Sequence, residues 1–311
     1  MKKNLKIKTQ NSKVKTNKNW LFKVVFILFG FCVFYIIGKD LYYSAFFQKK
    51  ERINVVSSEE QIGIYSLGLS DNVNYFTTLY PDLEATIPGG YGYYRLGALP
   101  KLANLEKKQD LFKKTYSMLT SSFIDFYFYP KAAIGETEIY FGKEQKGFFL
   151  PRFFLIFFGK SNALFFDRLY LYLNFLGKTK GQFKLITHLP TEKRSDRTVF
   201  SSKKFFDVFQ GTFYKKTYRD EQRNVQIVYT KSDTTAKFLG QIIEGEGIRV
   251  VDITQSDKEL TNCKVIEDKI KFTDTAKSVS NFFACDLVSG QTGPYNIIFK
   301  LGKVEEEWEV E

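Results

Sequence analysis

Gly89, Gly90, Tyr91, Gly92, Tyr93, Tyr94 and Arg95, preceded by Pro88, are the residues of this chain best suited to hold an anion. Glycines let backbone N–H groups approach a ligand closely, and the Arg95 guanidinium can meet a phosphate or carboxylate with two parallel bonds. No Walker or dinucleotide spacing accompanies them, and the same residues also make a plain turn with stacked tyrosines. Asp167 and Arg168 form a second candidate, either part of a diphosphate site or a charge pair on a helix surface. His188 is the single histidine, at a strand end without Cys, Asp or Glu at metal-ligand spacing. The spacing thus supplies no metal site, no cofactor motif and no nucleophile–base arrangement, and no catalytic residue is assigned. Glu136 and Glu138 fall in a predicted loop. Glu305, Glu306, Glu307, Glu309 and Glu311 make an acidic end expected to be solvated.

The elements that must position these residues begin with residues 20–38, WLFKVVFILFGFCVFYIIG. As a helix they extend about 28 Å, close to the hydrocarbon thickness of a bilayer. Seven lysines and no acid precede Trp20. The positive-inside rule therefore puts residues 1–19 in the cytoplasm and the bulk of the chain outside. A cleaved signal peptide is the rival reading. The apolar core is long and no small-x-small site follows at residues 36–39, which favours a retained signal anchor.

The net charge of +12 suggests a nucleic-acid binder only while the chain is taken whole. Residues 1–39 hold nine lysines and no acid, leaving 37 basic against 34 acidic residues. Residues 40–223 carry +8 and residues 224–311 carry −5, which suggests two modules with different surfaces. The basic one suits an anionic partner, such as a lipid phosphate or an acidic glycopolymer. The predicted topology disfavours nucleic acid.

Residues 39–52 read as a juxtamembrane linker, with Tyr42 and Tyr43 at the interface. Short strands follow over 53–87, then the glycine-rich loop 88–99, an amphipathic helix from Leu99 to Leu119 and a strand at 123–129. The Phe-rich run 147–159, interrupted by Pro151 and Arg152, is too short to span a bilayer. It either lines a tunnel for an apolar chain or is core. Ser161 and Asn162 are placed to cap a helix over 162–177, and 191–198 reads as a polar surface loop. From Val225 strands alternate with helices, predicting a small α/β layer domain over 224–304. The fold class is thus α/β, with one N-terminal transmembrane helix, a mixed α/β domain (53–223), a small C-terminal α/β domain and the acidic tail (305–311). Cys263 and Cys285 are candidates for a disulfide, with two separate thiols as the alternative.

The opening strand VQIVYT, the helix TTAKFLGQIIEGEG, the strand IRVVDIT and the closing NIIFKLG resemble the LytR C-terminal domain of bacterial envelope proteins. Where that domain has an Asn-Gly-Ser-Gly type turn, this chain has Thr230, Lys231, Ser232 and Asp233. Ahead of it, residues 53–219 resemble a divergent LytR–CpsA–Psr domain, through IGIYSLGL, the Pro-containing turn, the Gly-rich loop and FFDRLYLYLNFL. The resemblance implies handling of glycopolymers carried on polyprenyl phosphate, with arginines and aspartates on pyrophosphate and metal. The family's charged motifs are largely missing. No Asp-x-Arg follows Arg52, the late helix keeps only Asp167 and Arg168, and Arg194-Ser195-Asp196 lies in a late polar loop. The expectation is a membrane-anchored, non-catalytic envelope protein that binds glycopolymer, lipid carrier or protein partners. An active phosphotransferase rebuilt from Arg95, Asp167 and Arg168 is the alternative.

Overall fold

Helix α1 (Lys18–Tyr43) opens the computed structural model, which describes residues 18–48, 50–131, 139–194, 197–258 and 261–310. Within α1, Phe22–Tyr43 is long and apolar enough to cross a membrane. Most of its large side chains from Phe22 to Ile37 are exposed, and its packing on the rest of the chain is near its C-terminal end.

Strands β1 (Arg52–Ser58), β2 (Ile62–Gly68) and β3 (Asn74–Leu79) form an antiparallel meander. The hairpin β4 (Glu84–Ile87) and β5 (Gly92–Arg95) follows, then α2 (Leu99–Leu105), α3 (Leu111–Thr120) and β6 (Phe126–Tyr129). After these come α4 (Phe153–Phe158), β7 (Lys160–Ser161), α5 (Phe165–Phe175) and β8 (Phe183–Ile186). Six of these strands make one mixed sheet in the order β7-β6-β1-β2-β3-β8, with β6 parallel to β1, β8 parallel to β3 and β7 antiparallel to β6.

β1 and β2 are buried along their whole length because both faces of this sheet are covered. Val56, Ile62, Ile64 and Tyr127 face one core, shared with Leu111, Phe112 and Tyr116 of α3. Val55, Tyr65, Leu67 and Phe128 face the other, shared with Leu155 and Ile156 of α4 and Leu171 and Phe175 of α5. Period-2 alternation thus feeds two apolar layers rather than one apolar and one wet face.

A second, four-stranded sheet has the order β5-β4-β10-β9, from β9 (Thr191–Arg194) and β10 (Arg197–Phe200). Helices α6 (Ser202–Phe209) and α7 (Lys216–Glu221) lead into the C-terminal sheet. That sheet is built from β11 (Asn224–Tyr229), α8 (Asp233–Gly245), β12 (Arg249–Gln255), β13 (Lys264–Glu267), α9 (Asp274–Phe283), β14 (Asp286–Ser289) and β15 (Ile297–Lys300), in the order β12-β11-β15-β13-β14. The chain closes on α10 (Val304–Glu307). The architecture is mixed α/β with one long apolar helix at its N-terminus.

Five local expectations are corrected. A third of the predicted loop 88–99 is strand β5, because Gly89 and Gly90, at φ 90° and 77°, close a hairpin turn. The predicted surface loop at 191–198 carries the strands β9 and β10. The predicted helix from Leu99 breaks between α2 and α3, where Lys107 takes a positive φ of 55°. Helix α5 starts at Phe165 and is capped by the Asp167 carboxylate on Leu164 N–H; the Asn162 amide instead bonds Tyr127 N–H and Asp125 O. The acidic end is packed: Glu305, Trp308 and Val310 are buried.

Cys263 and Cys285 are joined by a disulfide, with Cα atoms 4.9 Å apart, tying the start of β13 to the end of α9. Closing a loop of 22 residues restrains the unfolded chain by about 3 kcal/mol in the chain-entropy picture. Reduction, or the double change to Ser, is expected to lower the midpoint of unfolding measured by Trp308 fluorescence. An unchanged midpoint after verified reduction contradicts this.

Candidate functional site

Gln48, Lys50 and Glu51, between α1 and β1, line the seam where the C-terminal sheet meets the first two. Three segments are tied together there. The Glu51 carboxylate accepts the N–H and hydroxyl of Thr217 at 3.0 and 2.7 Å. The buried Arg52 guanidinium reaches Tyr214 O, Val73 O, Ser66 Oγ and the Asp71 carboxylate. Phe123 stacks on Phe282 of α9 with ring centroids 4.1 Å apart. Gly245, ending α8, lies so close to Ser121 that an added Cβ would come within 1.6 Å of the Ser121 carbonyl oxygen.

A cleft of about 390 Å³ opens on this seam, lined among others by Lys50, Lys113, Asp125, Lys215, Asn281 and Phe282. Asp125 is its electrostatic centre. Its carboxylate accepts Asn54 N–H at 2.9 Å and Lys50 Nζ at 2.9 Å, with Lys215 Nζ at 3.9 Å. Burial opposes its charge, but Lys215 and Lys50 hold the carboxyl below the usual range. Burial also opposes the charge of Lys215, and Asp125, Tyr218 and Glu246 outweigh it, so this ammonium stays protonated. Glu246, fully buried, lies 3.8 Å from Lys215 Nζ and accepts Phe123 N–H. Burial nevertheless pushes its carboxyl up to about 7.

Lys113 is different. Its Nζ donates to Phe282 O at 2.9 Å and lies 4.1 Å from the Phe282 ring centroid. Among the described residues no carboxylate comes within ion-pair distance of it. Burial lowers its pKa to about 8.

The residues singled out from sequence lie elsewhere, and most of them are engaged by the chain itself. Gly89 N–H and Gly90 N–H both donate to Glu309 O, at 2.8 and 3.2 Å, so the glycine turn holds the C-terminal segment. Tyr91 donates to Glu106, and Tyr94 and Arg95 lie on the outer strand β5, both exposed. Arg168 gives its guanidinium to the carbonyls of Ala163, Ile156 and Gly159 at 3.0, 2.6 and 3.1 Å. Asp167 is buried and accepts Ala45 N–H at 2.8 Å besides capping α5. Asp167 and Arg168 thus face different partners, and neither shares a sheet layer with Arg95. His188 is exposed beyond β8, and no cluster of metal ligands occurs among the described residues. Glu136, Glu138, Ser195 and Asp196 lie outside the described residues.

The Phe-rich run divides between two environments. Phe148 and Phe149 fill the core against Phe76, at centroid distances of 5.0 and 5.6 Å, whereas Phe153, Phe154 and Phe158 are exposed. The cleft residues carry no motif. The one sequence signal was Asp125, a lone carboxylate inside the aromatic strand FIDFYFY.

No family model and no curated protein matches the chain. Solved structures similar to it include TagT from B. subtilis, at TM-score 0.34 and 12% identity over 51% of this chain and 88% of that one. They also include the LytR-CPS2A-psr family protein YwtF (TagT) with bound octaprenyl pyrophosphate lipid, at TM-score 0.33, 12% identity and coverages of 51% and 88%. A third is the transcriptional regulator EF0465 from Enterococcus faecalis, at TM-score 0.34, 9% identity and coverages of 67% and 92%. The family that the sequence resembles is thus among the solved structures similar to this chain. None of these likenesses carries a site or an activity over to it.

Proposed function

We propose that this chain is a membrane-anchored envelope protein, its folded part outside the cytoplasm, that binds a phosphate-bearing ligand without transforming it. The ligand class is an anionic lipid carrier or envelope glycopolymer, held at the seam between the modules 53–223 and 224–304. One observation carries the reading: the Lys113 ammonium faces the cleft with no carboxylate partner among the described residues, one short connection from the end of α1. A phosphate placed there gains a charge-assisted bond and relieves a cation that burial disfavours. Lys50 and Lys215 add positive potential, partly spent on Asp125.

The engagement of most of the candidate groups supports a reading without turnover. Transfer of a phosphoryl-linked polymer needs several cationic donors converging on one diphosphate. Arg168 is bound to backbone carbonyls, the glycine N–H groups hold Glu309, and Arg95 sits on an outer strand of a different sheet. The reading requires no cofactor and no metal.

The test uses the full chain in nanodiscs containing polyprenyl phosphate. Lys113→Ala is expected to weaken retention about tenfold, the usual worth of one charged hydrogen bond. The pH dependence has a definite sign. Lys113 is depressed to about 8 when free, and a bound anion favours its protonated form. Affinity should therefore hold level up to about pH 7.5 and fall as pH rises through 8. Equal retention by Lys113→Ala, or a flat profile to pH 10, defeats the cleft assignment. Turnover of carrier-linked polymer defeats the non-catalytic part.

A further inference from the structure

We propose that the aromatic face made by α4, α5 and the turn at Phe46 and Phe47 lies in the interfacial layer of the bilayer that α1 crosses. The folded part then rests on the membrane instead of hanging from a tether. This rests on reading α1 as a membrane span.

The end of α1 is tied directly to α5. Ser44 and Ala45, directly after α1, are buried, and Ala45 N–H is held by the Asp167 carboxylate at 2.8 Å. The Phe46 ring meets Tyr170 of α5 edge-on at 4.8 Å. Wherever α1 leaves the hydrocarbon, α5 is therefore carried to the same level.

The outward face of α5 is apolar. Asp167, Leu171 and Phe175 point into the core, whereas Phe165, Leu173 and Leu176 are exposed. Tyr172 continues this surface to α4 through Phe153 and Phe157, at ring distances of 5.3 and 5.6 Å. On α4, Phe154 and Phe158 are 74% and 63% exposed, and Phe47 beside α1 is 60% exposed. A contiguous exposed aromatic surface of this kind marks an interaction site.

Charge selects the occupant. Across residues 153–158 and 163–176 the only charged side chains are Asp167 and Arg168. Both are turned onto backbone groups of the chain. Arg152 and Lys178 flank the patch in sequence, where cations reach lipid phosphates, whereas Lys160 is turned inward onto Asn104 Oδ1 at 2.6 Å. Phe, Tyr and Leu on the face with Lys and Arg at its rim are the composition of a helix lying in a membrane interface.

The experiment places one tryptophan at a time in the full chain carrying Trp20→Phe. The buried Trp308 is retained as an unquenched reference. Phe154→Trp, Phe158→Trp, Ile270→Trp and, inside α1, Phe29→Trp are reconstituted in phosphatidylcholine nanodiscs with or without lipids brominated near the carbonyl end of the acyl chains. Ile270 is fully exposed in the C-terminal module, and all four positions are exposed, so folding is spared. The introduced tryptophans at 154 and 158 are expected to lose at least twofold more emission to bromolipid than that at 270. Quenching at 29 with 154 and 158 no more quenched than 270 overturns the proposal and leaves the span intact. An unquenched tryptophan at 29 overturns the span reading, and the proposal with it.

Discussion

Asp125→Ala is expected to lower the stability of the folded chain by about 3–5 kcal/mol, the usual cost of removing one partner from a buried ion pair. The Asp125 side chain is 10% exposed, and Lys215 beside it is 13% exposed. The substitution leaves Lys215 with Glu246 at 3.8 Å as its one ion pair among the described residues, strips Lys50 of its bond, and orphans Asn54 N–H. Lys50→Ala, which removes the more exposed cation, should cost 1 kcal/mol or less by the ordinary standard of surface pairs. The contrast can be read from denaturant unfolding, with Trp308 reporting the C-terminal core.

The pH dependence of this loss has a fixed sign. Asp125 is held below the normal carboxyl range, so its contribution is present above about pH 4 and disappears as pH falls through its folded value. Variant and wild type should therefore converge in acid. Glu246 works the other way. Raised to about 7 by burial, it favours the folded state below its unfolded value, and that contribution is lost as pH rises from about 4.5 to 7. A difference between Asp125→Ala and wild type that stays constant down to pH 2 contradicts this account of the seam.

The parts of the fold that were legible in sequence are those where local pattern and burial agree. β1 and β2 read as strands because their residues feed two cores, and the C-terminal alternation of strand and helix survives with boundaries shifted by a residue or two. Strand β9, TEKR, was illegible for the opposite reason. Its residues are largely exposed, so only its pairing with β10 makes it a strand. β5 was hidden in a glycine-rich run whose flexibility reads as a loop until Ile87 pairs with Gly92 across the turn. The cleft was the least legible part. Phe123 and Glu246 are 123 positions apart and meet only when α8 docks on the end of α3. By contrast Arg168 looked chemical in sequence, and its guanidinium is spent on three carbonyls that α4 and the following turn leave open.

The second large effect lies in the C-terminal segment, whose composition reads as a solvated tail. Glu305 is 2% exposed. Its carboxylate accepts Thr230 N–H at 2.9 Å and the Thr230 hydroxyl at 3.1 Å, together with Lys231 N–H and Ser232 N–H. Successive N–H groups in a turn just ahead of α8 form an anion-holding concavity, and the helix dipole adds to it. The residues that replace the family's glycine turn are thus filled from within the chain. Glu305→Ala removes four hydrogen bonds to a buried charge at about 1 kcal/mol each, so a loss of about 4 kcal/mol is expected. Glu306, next in sequence, is 64% exposed and, among the described residues, pairs with the exposed Lys231; Glu306→Ala should cost less than 1 kcal/mol. The acidic run therefore contains one structural carboxylate beside exposed ones, and composition alone cannot separate them. Trp308 and Val310 supply the reason for the difference. Both bury into the C-terminal core, drawing α10 against the α8 turn and delivering Glu309 O to the glycine hairpin of the first module. Comparable unfolding midpoints for Glu305→Ala and Glu306→Ala would remove this picture, and the docking of the C-terminal segment across both modules would lose its anchor.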